Sequence, residues 1–124
     1  MADPVKLLLV DDEDGLRTLM KSELEAIGYA VDEADGGTIA LEVTERISYD
    51  VIILDIRMPD IDGITVLKTL RSRQIPSKIV MLTGVDELRL TRECLRLGAN
   101  DYLTKPIQLK NLINCIERVM KEPV

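Results

Sequence analysis

Three carboxylates and one lysine, each directly following a short apolar run, are the strongest candidates for chemistry in this chain. Lys6–Val10 ends in Asp11-Asp12, Val51–Leu54 in Asp55, Lys78–Leu82 in Thr83, and Tyr102-Leu103-Thr104 in Lys105-Pro106. Carboxylates brought together repel unless a cation neutralises them, and hard oxygen donors of this kind suit Mg2+ (or Mn2+). A carboxylate beside such a cation can attack phosphorus and form an aspartyl-phosphate. A lysine offers a point charge to a phosphoryl oxygen, and a threonine offers a hydroxyl. Each residue also has a plainer reading. An Asp at a strand end is a helix cap or turn former, Thr83 can cap a helix, and a lone Lys105 is a solvated charge. Two adjacent aspartates followed by Glu13 and Asp14 crowd more charge than capping requires. Asp55 acquires a chemical role only if it faces that pair.

The elements that must position these residues follow from hydrophobic periodicity. Runs apolar at every position read as strands buried on both faces, as in parallel sheets. Between them lie stripes at helical spacing. Leu16, Leu19, Met20, Leu24 and Ile27 precede Gly28 as a C-cap, and Ala40, Val43 and Ile47 follow Gly36-Gly37. Ile64, Leu67 and Leu70 form a helix that stops before Pro76. Leu88, Thr91 and Leu95 lead to Gly98, and Leu109, Leu112, Ile113, Ile116 and Val119 mark a last helix. Ala30–Ala34 is a short, more polar strand, expected at an edge. Five βα units without a linker or repeat predict an α/β doubly wound (βα)5 three-layer sandwich with parallel strand order 2-1-3-4-5. That order puts strands one and three at the switch point, with Asp11-Asp12 facing Asp55. We expect one domain over residues 1–124, its core spanning about 5–121. Pro106 biases Lys105 away from the helical region and leaves their peptide bond open to the cis form. Gly84 leaves space beside the acceptor.

Composition narrows the function classes. At 124 residues the chain can bury about two thirds of its unfolded surface. Its net charge of −6 argues against direct nucleic-acid binding. There is no histidine, which excludes a Ser-His-Asp triad, a Cys-His pair, histidine metal ligation and histidine as phosphoryl acceptor within the chain. No apolar stretch approaches the roughly 18 residues of a membrane span, and MADPVK carries no signal region. Cys94 and Cys115 are isolated, with no C-x-x-C, and a cytoplasmic, reducing setting is expected. Asp60-x-Asp62-Gly63 hints at a calcium loop, but its twelve-residue frame would run from Met58 to Thr69, and neither end is acidic. Walker A and G-x-G-x-x-G motifs are missing.

With these residues in place, the chain resembles the receiver domain of two-component response regulators. The resemblance rests on an ordered set: Asp11-Asp12 after strand one, L-D-I-R-M-P-D-x-D-G at 54–63, T-G at 83–84 and G-A-x-D-Y-L-T-K-P at 98–106. It implies the flavodoxin-like (CheY-like) fold, and it implies that Asp55 accepts a phosphoryl group from a sensor histidine kinase or phosphotransfer protein. Asp12 and Asp55 would ligate Mg2+ directly, with the Arg57 main-chain carbonyl as a third ligand and Asp11 acting through water. Lys105 and Thr83 would bind phosphoryl oxygens, and Thr83 with Tyr102 would form a switch. The output face would include Arg89, Arg92, Arg96, Lys110 and Arg118, and would serve a downstream effector. Such a domain is no enzyme beyond its own phosphoryl transfer and dephosphorylation. Gly84 stands where such domains often carry Ala, and the chain has no Phe. Three competitors remain open. An aspartyl-phosphate-forming phosphatase would want D-x-D after strand one, a flavodoxin-like electron carrier would want aromatics beside a flavin, and a receiver-like interaction module would work without phosphorylation.

Overall fold

The computed structural model describes residues 3–123, apart from the side chain of Leu88, which belonged to the expected stripe of the fourth helix and lies outside the described residues. The elements run β1 (Lys6–Val10), α1 (Asp14–Ala26), β2 (Ala30–Ala34), α2 (Gly37–Val43), β3 (Val51–Asp55), α3 (Gly63–Ser72), β4 (Lys78–Thr83), α4 (Leu88–Arg96), β5 (Asp101–Thr104) and α5 (Leu109–Met120). A 3-10 turn, Val85–Glu87, leads into α4. All strand pairings are parallel, and the order is β2-β1-β3-β4-β5. The expected doubly wound sandwich, with the polar β2 at an edge, is what the chain forms.

Alternation along the strands divides the core into two layers. Leu8, Val10, Ile52, Leu54, Ile79 and Met81 pack with Ala40 of α2, Val66, Leu67 and Leu70 of α3, and Cys94 of α4. Leu7, Leu9, Val51, Ile53, Val80 and Leu82 pack with Met20 and Leu24 of α1 and Leu112, Cys115, Ile116 and Val119 of α5. Burial on both faces is why β1, β3 and β4 read as unbroken apolar runs. Ile47 lies beyond the end of α2, though it still packs against the core, and three further stripe positions are more exposed than expected. Leu19 is 55% exposed on the flank of α1, Ile27 is 51% exposed because it caps that helix rather than continuing it, and Leu95 is 42% exposed. The inner face of α4 runs through the expected Thr91 and through Cys94 in place of Leu95.

Helix ends follow the chain's local chemistry. Gly28 and Gly98 have positive φ, +106° and +110°. In each case the glycine and its successor donate backbone N–H groups to the last turn: Gly28 to Glu25 and Tyr29 to Leu24, Gly98 to Leu95 and Ala99 to Cys94. The same two-bond closure ends α3, with Gln74 to Arg71 and Ile75 to Leu70, but there the positive φ of 59° falls on Gln74. At the other end of the sheet from the site, the buried Lys78 amine donates to the carbonyls of Glu122 and Pro123 at 2.9 and 3.0 Å, holding down the chain after α5.

Candidate functional site

Register brings the singled-out residues to one crevice. Val10 pairs with Leu54 and Asp55 with Leu82, so Asp11 and Asp55 leave adjacent strands at the same level. Thr83 pairs with Thr104, and the Lys105 N–H donates to the Thr83 carbonyl at 2.7 Å, which fixes the end of β5 beside β4. The Lys105–Pro106 peptide bond is cis. Asp11 and Asp55 are buried, Asp12 is exposed, and carboxylate oxygens of all three lie within 4.8 Å of one another.

Each carboxylate has a distinct set of partners. Asp55 accepts from the Lys105 ammonium at 2.8 Å and from the Arg57 N–H at 3.3 Å. Asp11 accepts from the Glu13 N–H at 2.9 Å through one oxygen. Its other oxygen, Oδ2, is buried without a hydrogen bond among the described residues, with Lys105 Nζ at 3.6 Å. A buried, unpartnered carboxylate oxygen is costly unless a cation sits nearby. Three carboxylates converging there, with hard oxygen donors throughout, fit a divalent cation such as Mg2+. Burial pushes the Asp55 carboxyl up to about 6; the Lys105 bond pulls it down, and the Asp11 charge adds to the rise. Burial also works against the Lys105 ammonium, but the Asp55 bond and the Asp11 charge outweigh it and hold its pKa above the ordinary value.

The remaining expectations divide. Thr83 is fully buried, and its hydroxyl donates to the Gly84 carbonyl at 3.2 Å rather than toward Asp55. Gly84 does not open space beside Asp55: a Cβ there would meet Asp86 and Glu87 oxygens at 3.0 Å. Tyr102 is half-buried against the core layer shared by α2, α3 and α4. Arg89, Arg92, Arg96, Lys110 and Arg118 are all exposed, and two of them are also paired, Arg96 with Glu93 at 3.1 Å and Arg118 with Asp101. The acidic loop 60–62 serves the helices instead of calcium. Asp60 accepts from the Gly37 and Thr38 N–H groups at the start of α2, and Asp62 caps α3 through the Thr65 N–H at 2.8 Å.

Two residues of the site were not read from the sequence. A Cβ on Gly63 would fall 2.2 Å from the Asp55 carbonyl oxygen, and its N–H donates to Ile56 at 2.7 Å, so α3 starts directly against the Asp55 backbone. Glu87 is 6% exposed; its carboxylate accepts from the Gly84 N–H at 2.9 Å and pairs with the Arg57 guanidinium. The D-G pair at 62–63 was a usable signal for a close approach, but Glu87 carried none.

Comparison with known proteins points one way. The family described as the response regulator receiver domain matches residues 7–117. The alkaline phosphatase synthesis transcriptional regulatory protein PhoP of Bacillus subtilis (strain 168) is 39% identical over 94% of this chain and 48% of its own length. The regulatory protein AtoC of Escherichia coli (strain K12) is 35% identical over 94% of this chain and 25% of its own. The chain therefore spans about half or less of the length of these curated relatives. Among solved structures, the receiver domain of Francisella response regulator 1452 superposes with a TM-score of 0.88 at 34% identity, covering 94% of this chain and 97% of that one. Chemotaxis protein CheY4 of Vibrio cholerae gives 0.87 at 31% identity, covering 94% and 98%. Sequence motifs, strand order, the crevice of carboxylates and lysine, and these matches agree: the chain belongs to the receiver domain family of two-component response regulators.

Proposed function

We propose that Asp55 is the phosphoacceptor of a phosphorylation-activated switch, supplied by a sensor histidine kinase or phosphotransfer protein and read out by a downstream effector. The observation that carries this reading is the Asp55 carboxylate held by Lys105 at 2.8 Å beside a buried Asp11 oxygen lacking a hydrogen bond. Asp55 Oδ attacks phosphorus while the P–N bond of the donor phosphohistidine breaks, and the imidazole leaves to take a proton from water. Lys105 turns from the carboxylate to a phosphoryl oxygen, and the Thr83 hydroxyl serves another. Asp12, Asp55 and the Arg57 main-chain carbonyl would hold Mg2+ (or Mn2+), with Asp11 assisting. When bound, the cation neutralises the carboxylates and the charge developing on the phosphoryl oxygens.

Movement of Thr83 toward the phosphoryl group opens space that Tyr102 fills, and the face of α4, β5 and α5 changes. Converting a mostly resting population to a mostly active one takes about 5 kcal/mol of differential stabilisation. A phosphoryl dianion with a metal, an ammonium and a hydroxyl is a sufficient source. The chain acts as one receiver unit, and its chemistry is limited to its own phosphorylation and dephosphorylation. None of the described helices is long and apolar enough to cross a membrane, in keeping with a cytoplasmic setting. The family match favours the switch over a phosphatase.

Intact mass after incubation with acetyl phosphate, with and without Mg2+, tests the reading in the wild type and Asp55→Asn. One phosphoryl adduct requiring both Mg2+ and Asp55 is expected. Its absence from metal-loaded wild type would leave an interaction module that works without phosphorylation.

A further inference from the structure

Glu87 occupies the N-cap position of α4 but does not cap that helix. Its buried carboxylate turns back instead and joins two loops. One oxygen takes the Gly84 N–H at 2.9 Å, and the other pairs with the Arg57 Nε. The Glu87 N–H donates to the Gly84 carbonyl at 3.1 Å, the same carbonyl that accepts the Thr83 hydroxyl at 3.2 Å. The Gly84 peptide is thus gripped on both sides. Contact is close enough that a Cβ on Gly84 would lie 3.0 Å from carboxylate oxygens of both Asp86 and Glu87. The Thr83 hydroxyl is committed to an acceptor whose position Glu87 sets.

Arg57 ties this arrangement to the acceptor. It lies two residues after Asp55, its N–H donates to Asp55 at 3.3 Å, and its side chain is 72% exposed apart from the Glu87 pair. A phosphoryl group on Asp55 puts about 1.5 to 2 negative charges, in place of the single charge of the carboxylate, beside Arg57. Arginine binds phosphate and carboxylate with the same fork, so the two anions compete for it.

The geometry points to the Arg57–Glu87 pair as a latch on the β4–α4 connection. With Arg57 on Glu87, Gly84 is held and the Thr83 hydroxyl stays on the Gly84 carbonyl. Phosphorylation draws Arg57 off, Glu87 loses its partner, and the Gly84 peptide and Thr83 are free to move. Glu87 is a positioning residue that sets the resting state of the switch. This inference rests on Asp55 being phosphorylated.

The test uses the amide proton shift of Gly84 in nitrogen-15 spectra, together with the rate of adduct formation from acetyl phosphate and Mg2+ measured by mass. In the resting wild type the Gly84 amide should appear downfield, as a carboxylate-bonded N–H, and it should move upfield on phosphorylation. In Glu87→Gln it should already lie part of the way upfield at rest, and adduct should form about two- to fivefold faster, the range expected for loss of a partly exposed ion pair. Arg57→Gln should add no further upfield shift at rest when combined with Glu87→Gln, because the two act as one unit. A Gly84 amide unmoved in wild type that carries the phosphoryl adduct would overturn the latch, and this arm needs no variant to fold. Additive effects of the two substitutions would overturn it as well. Wild type forming no adduct would instead sink the assignment of Asp55.

Discussion

Burial and the Asp11 charge both work against an ionised Asp55, while Lys105 at 2.8 Å works for it, and the balance leaves the carboxyl at about 6 against an ordinary 3.8. Between those values the folded chain holds a proton that the unfolded chain has released. This group therefore destabilises the metal-free fold above about pH 6, and the penalty disappears as the pH falls toward 4. Urea melts in chelator should find Asp55→Asn more stable than wild type at pH 7, with the gap narrowing at pH 5. A gap independent of pH would contradict the assignment. Gly63 makes a second residue-scale prediction. With its Cβ position 2.2 Å from the Asp55 carbonyl oxygen, Gly63→Ala should cost about 3 kcal/mol in denaturant melts and reduce phosphorylation by displacing Asp55. Asp11, Asp12, Asp55 and Lys105 were legible because each directly follows an apolar run. Glu87 was not, since its role arises only where two loops distant in sequence close on each other.

Helix ends show how local chemistry and tertiary packing share control of the elements. Glycines supply the left-handed residue after α1 and α4, and both were readable as stops. After α3 that residue is Gln74 at φ 59°, a conformation that costs a residue with a Cβ about 1 kcal/mol. Gln74→Gly should therefore raise stability by up to about 1 kcal/mol, offset in part by the greater freedom of glycine in the unfolded chain. An unchanged or lower urea midpoint would show that the glutamine side chain contributes contacts that outweigh the strain. The stripe on α4 was read one position off. Leu95 looks like core by its hydrophobicity, but the face turned to the sheet carries Cys94 beside the expected Thr91. The role of Asp60 is not legible in the sequence, because its partners at the start of α2 lie more than twenty residues away.

At the scale of the whole molecule, two apolar layers hold the sheet rigid, and a strained cluster of carboxylates sits at one end of it. A cation binding only the folded state raises stability by about 1.4 kcal/mol when present at ten times its dissociation constant. Thermal melts should thus move upward with millimolar Mg2+ in wild type. Asp11→Asn should melt higher than wild type in chelator, on the order of 1 kcal/mol for removing a like charge beside Asp55, and should gain little from Mg2+. Equal responses of the two proteins would argue against a metal in this crevice. The sheet itself ends in two open edges, strands of only five and four residues. On β2, Asp32 accepts from the Tyr49 hydroxyl at 2.6 Å, and Glu33 is paired with Arg17 and Lys21 of α1. On β5, Asp101 is paired with Arg118 of α5. A foreign strand approaching either edge meets carboxylates already committed to neighbours, which it would have to displace and desolvate. The ion pairs that fasten α1 and α5 to the sheet thereby also guard it against strand addition, the opening step of amyloid-like aggregation.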